Sequence, residues 1–287
     1  MKYNFFSTNI KTRVLTFILV EAVMFIIASA LVTIASKIFT TLPQHTLLLI
    51  TLALQGLVLF VAAPLITARL ITTTPFKYLS LTTLPSARQI IWVTLAMITM
   101  LPALNLIVSW NEGLHLPQFM SGIEEWMRAQ EEAAAEATKQ LLAIKTIPAL
   151  IATILMVGVL TGIGEELTFR GVLQKLINEK WANPHIAIWV AAIIFSAIHI
   201  QFFGFFPRML LGAFFGYLLV WSKSIWLPIY AHFLNNTMAT IAAYMLNTEL
   251  TTDQIEKVGT IDNGSLWTAI VSLLLFSICA IKIKKSK

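Results

Sequence analysis

The stretch VLTFILVEAVMFIIASALVTIAS, Val14–Ser36, carries a single charged side chain, Glu21. About 20 such residues let an α-helix cross the ~30 Å hydrocarbon core of a bilayer. Only a backbone that satisfies its own hydrogen bonds persists there. The stretch is longer than the apolar part of a secretory signal and lacks an A-x-A-like end, so it reads as a retained helix. Seven more windows read the same way: Thr46–Ala68, Gln89–Ser109, Ile147–Gly164, His185–Phe203, Arg208–Trp221, Ile225–Leu246 and Leu266–Ile281. Of the eight, the fourth runs on into polar residues and the sixth is short. Composition agrees. The 287 residues are 57% hydrophobic and 12% charged, with mean hydropathy +0.80, whereas a soluble domain is about 45–50% apolar and about 25% charged. Too little charge is present to cover a water-exposed surface. A soluble globular enzyme, a disordered chain and a coiled coil are excluded. The predicted fold is all-α, a polytopic transmembrane helix bundle of about eight spans.

The net charge is +6, but the basic residues sit in short juxtamembrane clusters. That placement suits anionic lipid headgroups of the bilayer and gives no basic face for nucleic acid. Lys2, Lys11 and Arg13 precede the first window; Arg69, Lys77 and Arg88 follow the second; Arg170, Lys175 and Lys180 follow the fourth; Lys282, Lys284, Lys285 and Lys287 end the chain. If every window crosses once, all four sets fall on one side, which the positive-inside rule makes cytoplasmic. Both termini are then cytoplasmic. The opposite side carries Glu112, Glu124, Glu125, Glu131, Glu132, Glu136, Asp253, Glu256 and Asp262. Two loops there are long. Glu124–Lys139 (EEWMRAQEEAAAEATK) is rich in Ala and Glu and predicts an amphipathic or solvated helix; Asn247–Ser265 predicts a polar loop. The lone Cys279 precludes an internal disulfide and reads as packing. A compact chain without a legible organelle signal fits a multi-pass protein of a bacterial inner membrane.

Ionisable groups inside a bilayer are costly, so each is a functional candidate. In GIGEELTFRG, Gly162–Gly171, Glu166 and Arg170 are i,i+4 neighbours with the acid first, the better order for an ion pair. Glu165 points about 100° away, free to face a cavity from the cytoplasmic end of its span. In FSAIH, Phe195–His199, and HFLNN, His232–Asn236, Phe195 with His199 and His232 with Asn236 share helix faces; Asn235 lies on another face. GAFFG, Gly212–Gly216, has the small-xxx-small spacing of close helix contact and reads as packing. Glu21 is isolated and reads as a polar helix–helix contact. No H-E-x-x-H zinc helix is present.

The ordered set EExxxR (Glu165, Glu166, Arg170), FxxxH (Phe195, His199) and HxxxN (His232, Asn236) resembles the three motifs of the CPBP, or Abi, family. That family contains CAAX prenyl proteases and bacteriocin-processing or self-immunity proteins. The resemblance divides the chain into 1–146 (N-terminal helices and the Glu-rich loop), 147–246 (a protease core) and 247–287 (a polar loop and a C-terminal helix). It implies an intramembrane endopeptidase whose cavity opens to the cytoplasmic side. Glu165 would be the catalytic acid and His199 its partner on the attacking water. His232 and Asn236 would stabilise the oxyanion, and Glu166 with Arg170 would support the site. The residue chemistry is compatible, because peptide hydrolysis needs a base for water, donors for the oxyanion and a proton for the leaving amine.

Glu165, His199 and His232 also permit a zinc reading, with Glu166 as base. The Glu166–Arg170 pair makes Glu166 a poor free base, so a metal-free glutamate mechanism without cofactor is expected. The expected partner is a peptide or membrane-protein substrate, and the oligomeric state is not legible. A non-catalytic immunity or scaffold protein is the alternative function, and an ion-coupled transporter a further one. Against transport, no inverted repeat or paired broken helices are visible.

Overall fold

A computed structural model describes residues 9–248, 260 and 265–286. Lys2, Lys287, Asp253, Glu256, Asp262 and most of the expected loop Asn247–Ser265 lie outside these. Among the described residues every regular element is helical. Ten helices organise the chain: α1 (Ile10–Ile38), α2 (Gln44–Ile71), α3 (Ala87–Thr99), α4 (Leu101–Glu112), α5 (Ser121–Leu141), α6 (Ile147–Trp181), α7 (Pro184–Ala197), α8 (Phe205–Ser222), α9 (Trp226–Asn247) and α10 (Leu266–Lys285).

Every predicted window contains a helix, though the fifth is helical only to Ala197, and they are not eight equivalent spans. Five helices (α1, α2, α6, α8 and α10) are long and apolar enough to cross a membrane. A sixth span results if α3 and α4, bent by 46°, count as one. The bend falls where Pro102 enters the first turn of α4 and removes a backbone donor. Helix α7 has 14 residues, about 21 Å at 1.5 Å per residue, short of a ~30 Å core. Helix α9 has 22 residues, but His232, Asn235, Asn236, Thr237 and Thr240 dilute its apolar character. The two segments that fall short are the ones at the site: His199 lies in the turn just after α7, and His232 and Asn236 lie on α9.

Local sequence fixes where the core helices begin. Thr146 caps α6, with Pro148 in its first turn. Asn183 accepts from the backbone N–H of His185 at 2.9 Å and of Ile186 at 3.3 Å, and Pro184 follows as the first residue of α7. Such caps satisfy orphan donors and together contribute about 1 kcal/mol each. Ser86 and Gln89 form a capping box at the start of α3.

Contacts define two end faces. At one, Arg13 of α1 pairs with Glu179 of α6 at 2.9 Å. Lys175 donates to the Tyr78 carbonyl and, at 2.8 Å, to Ser80 Oγ. Trp226 donates to the Leu81 carbonyl at 2.9 Å. Ile283 and Val93 belong to one buried cluster, which sets the last turns of α10, with Lys282, Lys284 and Lys285, toward the start of α3. Arg13, Lys175 and the basic end of α10 thus lie at this face, while Arg170 is buried inside the bundle. At the other, Asn111 donates to the Phe202 carbonyl at 3.1 Å and accepts from the Phe206 N–H at 2.8 Å. Asn247 donates to the Leu142 carbonyl at 2.6 Å. The Glu-rich segment forms α5, as its composition predicts. It docks on the α7–α8 connection: Glu131 accepts from the Phe203 N–H at 3.2 Å, Arg128 lies 4.3 Å over the Phe203 ring, and Trp126 meets Phe202 at 5.3 Å. Large apolar side chains of α1 and α10 face outward, as lipid-exposed helices require.

Candidate active site

Glu165 and Glu166 lie between two π-helical stretches of α6, Ile154–Leu160 and Leu167–Leu173. There backbone N–H groups reach five residues back, as Thr161 does to Met156 and Gln174 to Phe169. Such stretches are rare and recur at functional sites. Each shifts the faces that follow it relative to a regular helix. Glu165 lies near the middle of the 35-residue helix, not at its cytoplasmic end as the sequence suggests.

The Glu166–Arg170 pair forms at 2.8 Å, with side-chain exposures of 0% and 1%. Arg170 also donates to the Gly212 carbonyl at 2.8 Å and lies 4.7 Å over the Phe195 ring. One turn on, Gln174 donates to the Gly216 carbonyl at 3.2 Å. The small residues of GAFFG therefore do more than pack. Without side chains they leave two carbonyls open to the polar groups of α6. A Cβ on Gly212 would lie 3.1 Å from Arg170 Nη2, and one on Gly216 only 2.7 Å from Gln174 Oε1.

His232, almost buried, bridges both glutamates. Its Nδ1 lies 2.9 Å from Glu166 Oε1, and its Nε2 lies 3.7 Å from Glu165 Oε2. Glu166, already paired with Arg170, accepts, so Nδ1 carries a proton, and Nε2 is turned to Glu165. The carboxylate behind the imidazole fixes its orientation, as in a carboxylate–histidine dyad. The same logic applies to His199. Its Nδ1 lies 2.8 Å from the Phe195 carbonyl, which only accepts. The neutral ring then presents Nε2 as a free acceptor. Phe195 sits edge-on to both imidazoles, at 5.1 Å from His199 and 6.3 Å from His232.

Asn236 donates to the Val157 carbonyl at 2.8 Å and accepts from Asn235 at 3.2 Å. Its second N–H is uncommitted in these bonds. Glu165, His199, His232 and Asn236 line one cavity of about 440 Å³. Sequence reasoning missed two other lining residues. Asn235 faces the same cavity instead of a separate surface, because the cavity spans more than one stripe of α9. Arg208 also lines it and donates to Gln201 Oε1 at 2.6 Å. An arginine inside an apolar window is the signal that could have found it. Glu21 makes no legible polar helix contact: its Oε1 is buried without a hydrogen-bond partner among the described residues.

The zinc reading fares differently. Among the described residues, no group of three His, Cys, Asp or Glu side chains is arranged to hold a metal ion. His232 Nδ1 is committed to Glu166, and its Nε2 faces Glu165 at salt-bridge distance.

Residues 147–238 match the family model described as "Type II CAAX prenyl endopeptidase Rce1-like". That segment, which holds the three motifs, is thus similar to the Rce1-like endopeptidases. Two curated relatives from Bacillus subtilis (strain 168) are similar to parts of this chain. "Uncharacterized protein YpbD" is 28% identical over 100 residues, which cover 33% of this chain and 46% of that protein. "Putative membrane peptidase YdiL" is 30% identical over 108 residues, covering 37% of this chain and 43% of that protein. The chain thus spans less than half the length of these relatives. No solved structure gives a significant match. With its apolar helices, the chain is a multi-pass membrane protein, and its residues 147–238 are similar to a protease family.

Proposed function

We propose that the protein is an intramembrane endopeptidase of the cell membrane that hydrolyses a peptide bond with water and no metal. The observation that supports this is the convergence of Glu165 from α6, His199 from the turn after α7, and His232 and Asn236 from α9 on one cavity. Water held between Glu165 and His199 Nε2 gives a proton to the Glu165 carboxylate as its oxygen attacks the substrate carbonyl carbon. The free N–H of Asn236 donates to the resulting oxyanion. His232 donates from Nε2 in its imidazolium form, whose charge the two glutamates offset. Collapse of the tetrahedral centre breaks the C–N bond, and Glu165 returns its proton to the leaving amine. Arg170 and Glu166 hold His232 in place. The substrate class is a small peptide or a membrane-protein segment.

Glu165→Gln is the deciding variant. Purified protein incubated with a peptide library and read by product mass should lose cleavage by about 10²–10⁴-fold, while membrane insertion and thermal stability stay normal. Cleavage retained in Glu165→Gln would sink the assignment, and an unaltered cellular phenotype without cleavage would favour the scaffold reading. Parallel reactions with a chelator should proceed at an unchanged rate.

A further inference from the structure

The cavity is blind at one end of the bundle. On α6 its lining is Thr161 and Glu165, while Glu166, Arg170 and Gln174, next toward Trp181, are buried at 0%, 1% and 4% exposure. On α8, which runs the same way as α6, with Arg170 at Gly212 and Gln174 at Gly216, the lining begins before the helix at Gly204 and reaches Phe215, and the following Leu218 and Leu219 are buried. On α9, Leu227 to Ala231 are packed before the lining starts at His232. Three helices agree. A plug of Glu166, Arg170, Gln174 and the α8 carbonyls closes the end that carries Arg13, Arg88, Lys175 and Lys282–Lys285. The wall formed by Leu104 and Val108 instead rises toward Asn111, at the face where the Glu-rich α5 docks.

We infer that the cavity opens to the extracytoplasmic side and receives peptide segments presented from outside the cytoplasm. The positive-inside rule assigns the plugged, basic end to the cytoplasm. The open end is flanked by Glu124, Glu131, Glu132 and Glu136 of α5. This reverses the cytoplasmic opening implied by the family resemblance. The sidedness stands on charge and packing alone; only the word substrate rests on the peptidase reading.

Single cysteines placed in a Cys279→Ser background of the full chain test it. The three positions are Val108→Cys on the cavity wall, Glu132→Cys on α5 and Lys77→Cys at the plugged end. A membrane-impermeant sulfonated thiol reagent is applied to intact cells and, separately, to inverted membrane vesicles. The expected result is labelling of Val108→Cys and Glu132→Cys in intact cells only, and of Lys77→Cys in inverted vesicles only. Labelling of Val108→Cys together with Lys77→Cys overturns the inference, as does a Val108→Cys reached from neither side. The pattern is expected to persist when Glu165→Gln is added. A failed peptidase assignment would therefore leave the labelling intact, and a failed sidedness would leave cleavage intact.

Discussion

His232 touches a glutamate with each ring nitrogen, and only one of those glutamates faces the cavity. The division of labour starts there. Glu166 gives its charge to Arg170 and its acceptor to His232, which leaves Glu165 as the carboxylate with room for water. Arg170→Met would strand the Glu166 charge at zero exposure, a change that typically costs about 3–5 kcal/mol. Thermal unfolding in detergent should show a marked drop. The double variant Glu166→Leu/Arg170→Met should recover much of that stability, since apolar replacement of a buried pair is often neutral. Cleavage should not return, because His232 Nδ1 has lost its acceptor. Recovery of cleavage in the double variant would refute the anchoring role. Loss of the free donor in Asn236→Ala should lower the rate by about 10²–10³-fold with little change in stability.

At the scale of elements, Gly164 is the tightest contact beside the site. A Cβ there would lie 2.6 Å from Phe60 Cβ, on the π-helical stretch of α2. Gly164→Val must push α2 from α6, and overpacking of this kind costs about 1–3 kcal/mol. Its readout is a lowered melting temperature with a parallel loss of activity. Helix α5 offers a pH test. Glu124 accepts from Arg128, from the Leu116 N–H and from His115. The Arg128 hydrogen bond, then those of Leu116 and His115, hold its carboxyl down from 4.5 to about 2. Because the folded value is depressed, the docking contribution is complete above pH 4.5 and fades as the pH falls toward 2. Protease nicking of the α4–α5 connection should rise across that window, and Glu124→Gln should flatten the dependence. A pH-independent nicking profile in the unaltered protein would contradict it.

The elements also show why some features were legible in sequence and others were not. Hydropathy located every described apolar helix, because each window buries or exposes a continuous apolar surface. It does not show that α7 falls short of a full span's length, because the helix stops at Ala197 and the backbone turns through Ile200, at φ 55°. That conformation is disfavoured for a β-branched residue, and periodicity does not signal it. The i,i+4 spacing of Glu166 and Arg170 predicted their pairing. The π-helical stretches have no sequence periodicity of their own, so the depth of Glu165 and the orientation of its neighbours could not be read. Asn235 was set aside by helical-wheel geometry, which assumes a narrow site. Arg208 opens its apolar window, where hydropathy does not distinguish a cavity residue from the end of a span.

For the whole molecule, the long helix α6 sets a depth. Its last turns, Gln174–Trp181, carry Lys175, Asn178, Glu179 and Lys180, which require headgroups or water. Counting back nine residues from Gln174 at 1.5 Å each sets Glu165 about 14 Å below that boundary, close to the midplane of a ~30 Å layer. A substrate crossing there as an intact helix would keep its amide bonds tied to neighbouring turns, out of reach of an attacking oxygen. Scission at this depth demands local unwinding, so a segment interrupted by glycine or proline should be processed ahead of an unbroken leucine-rich one.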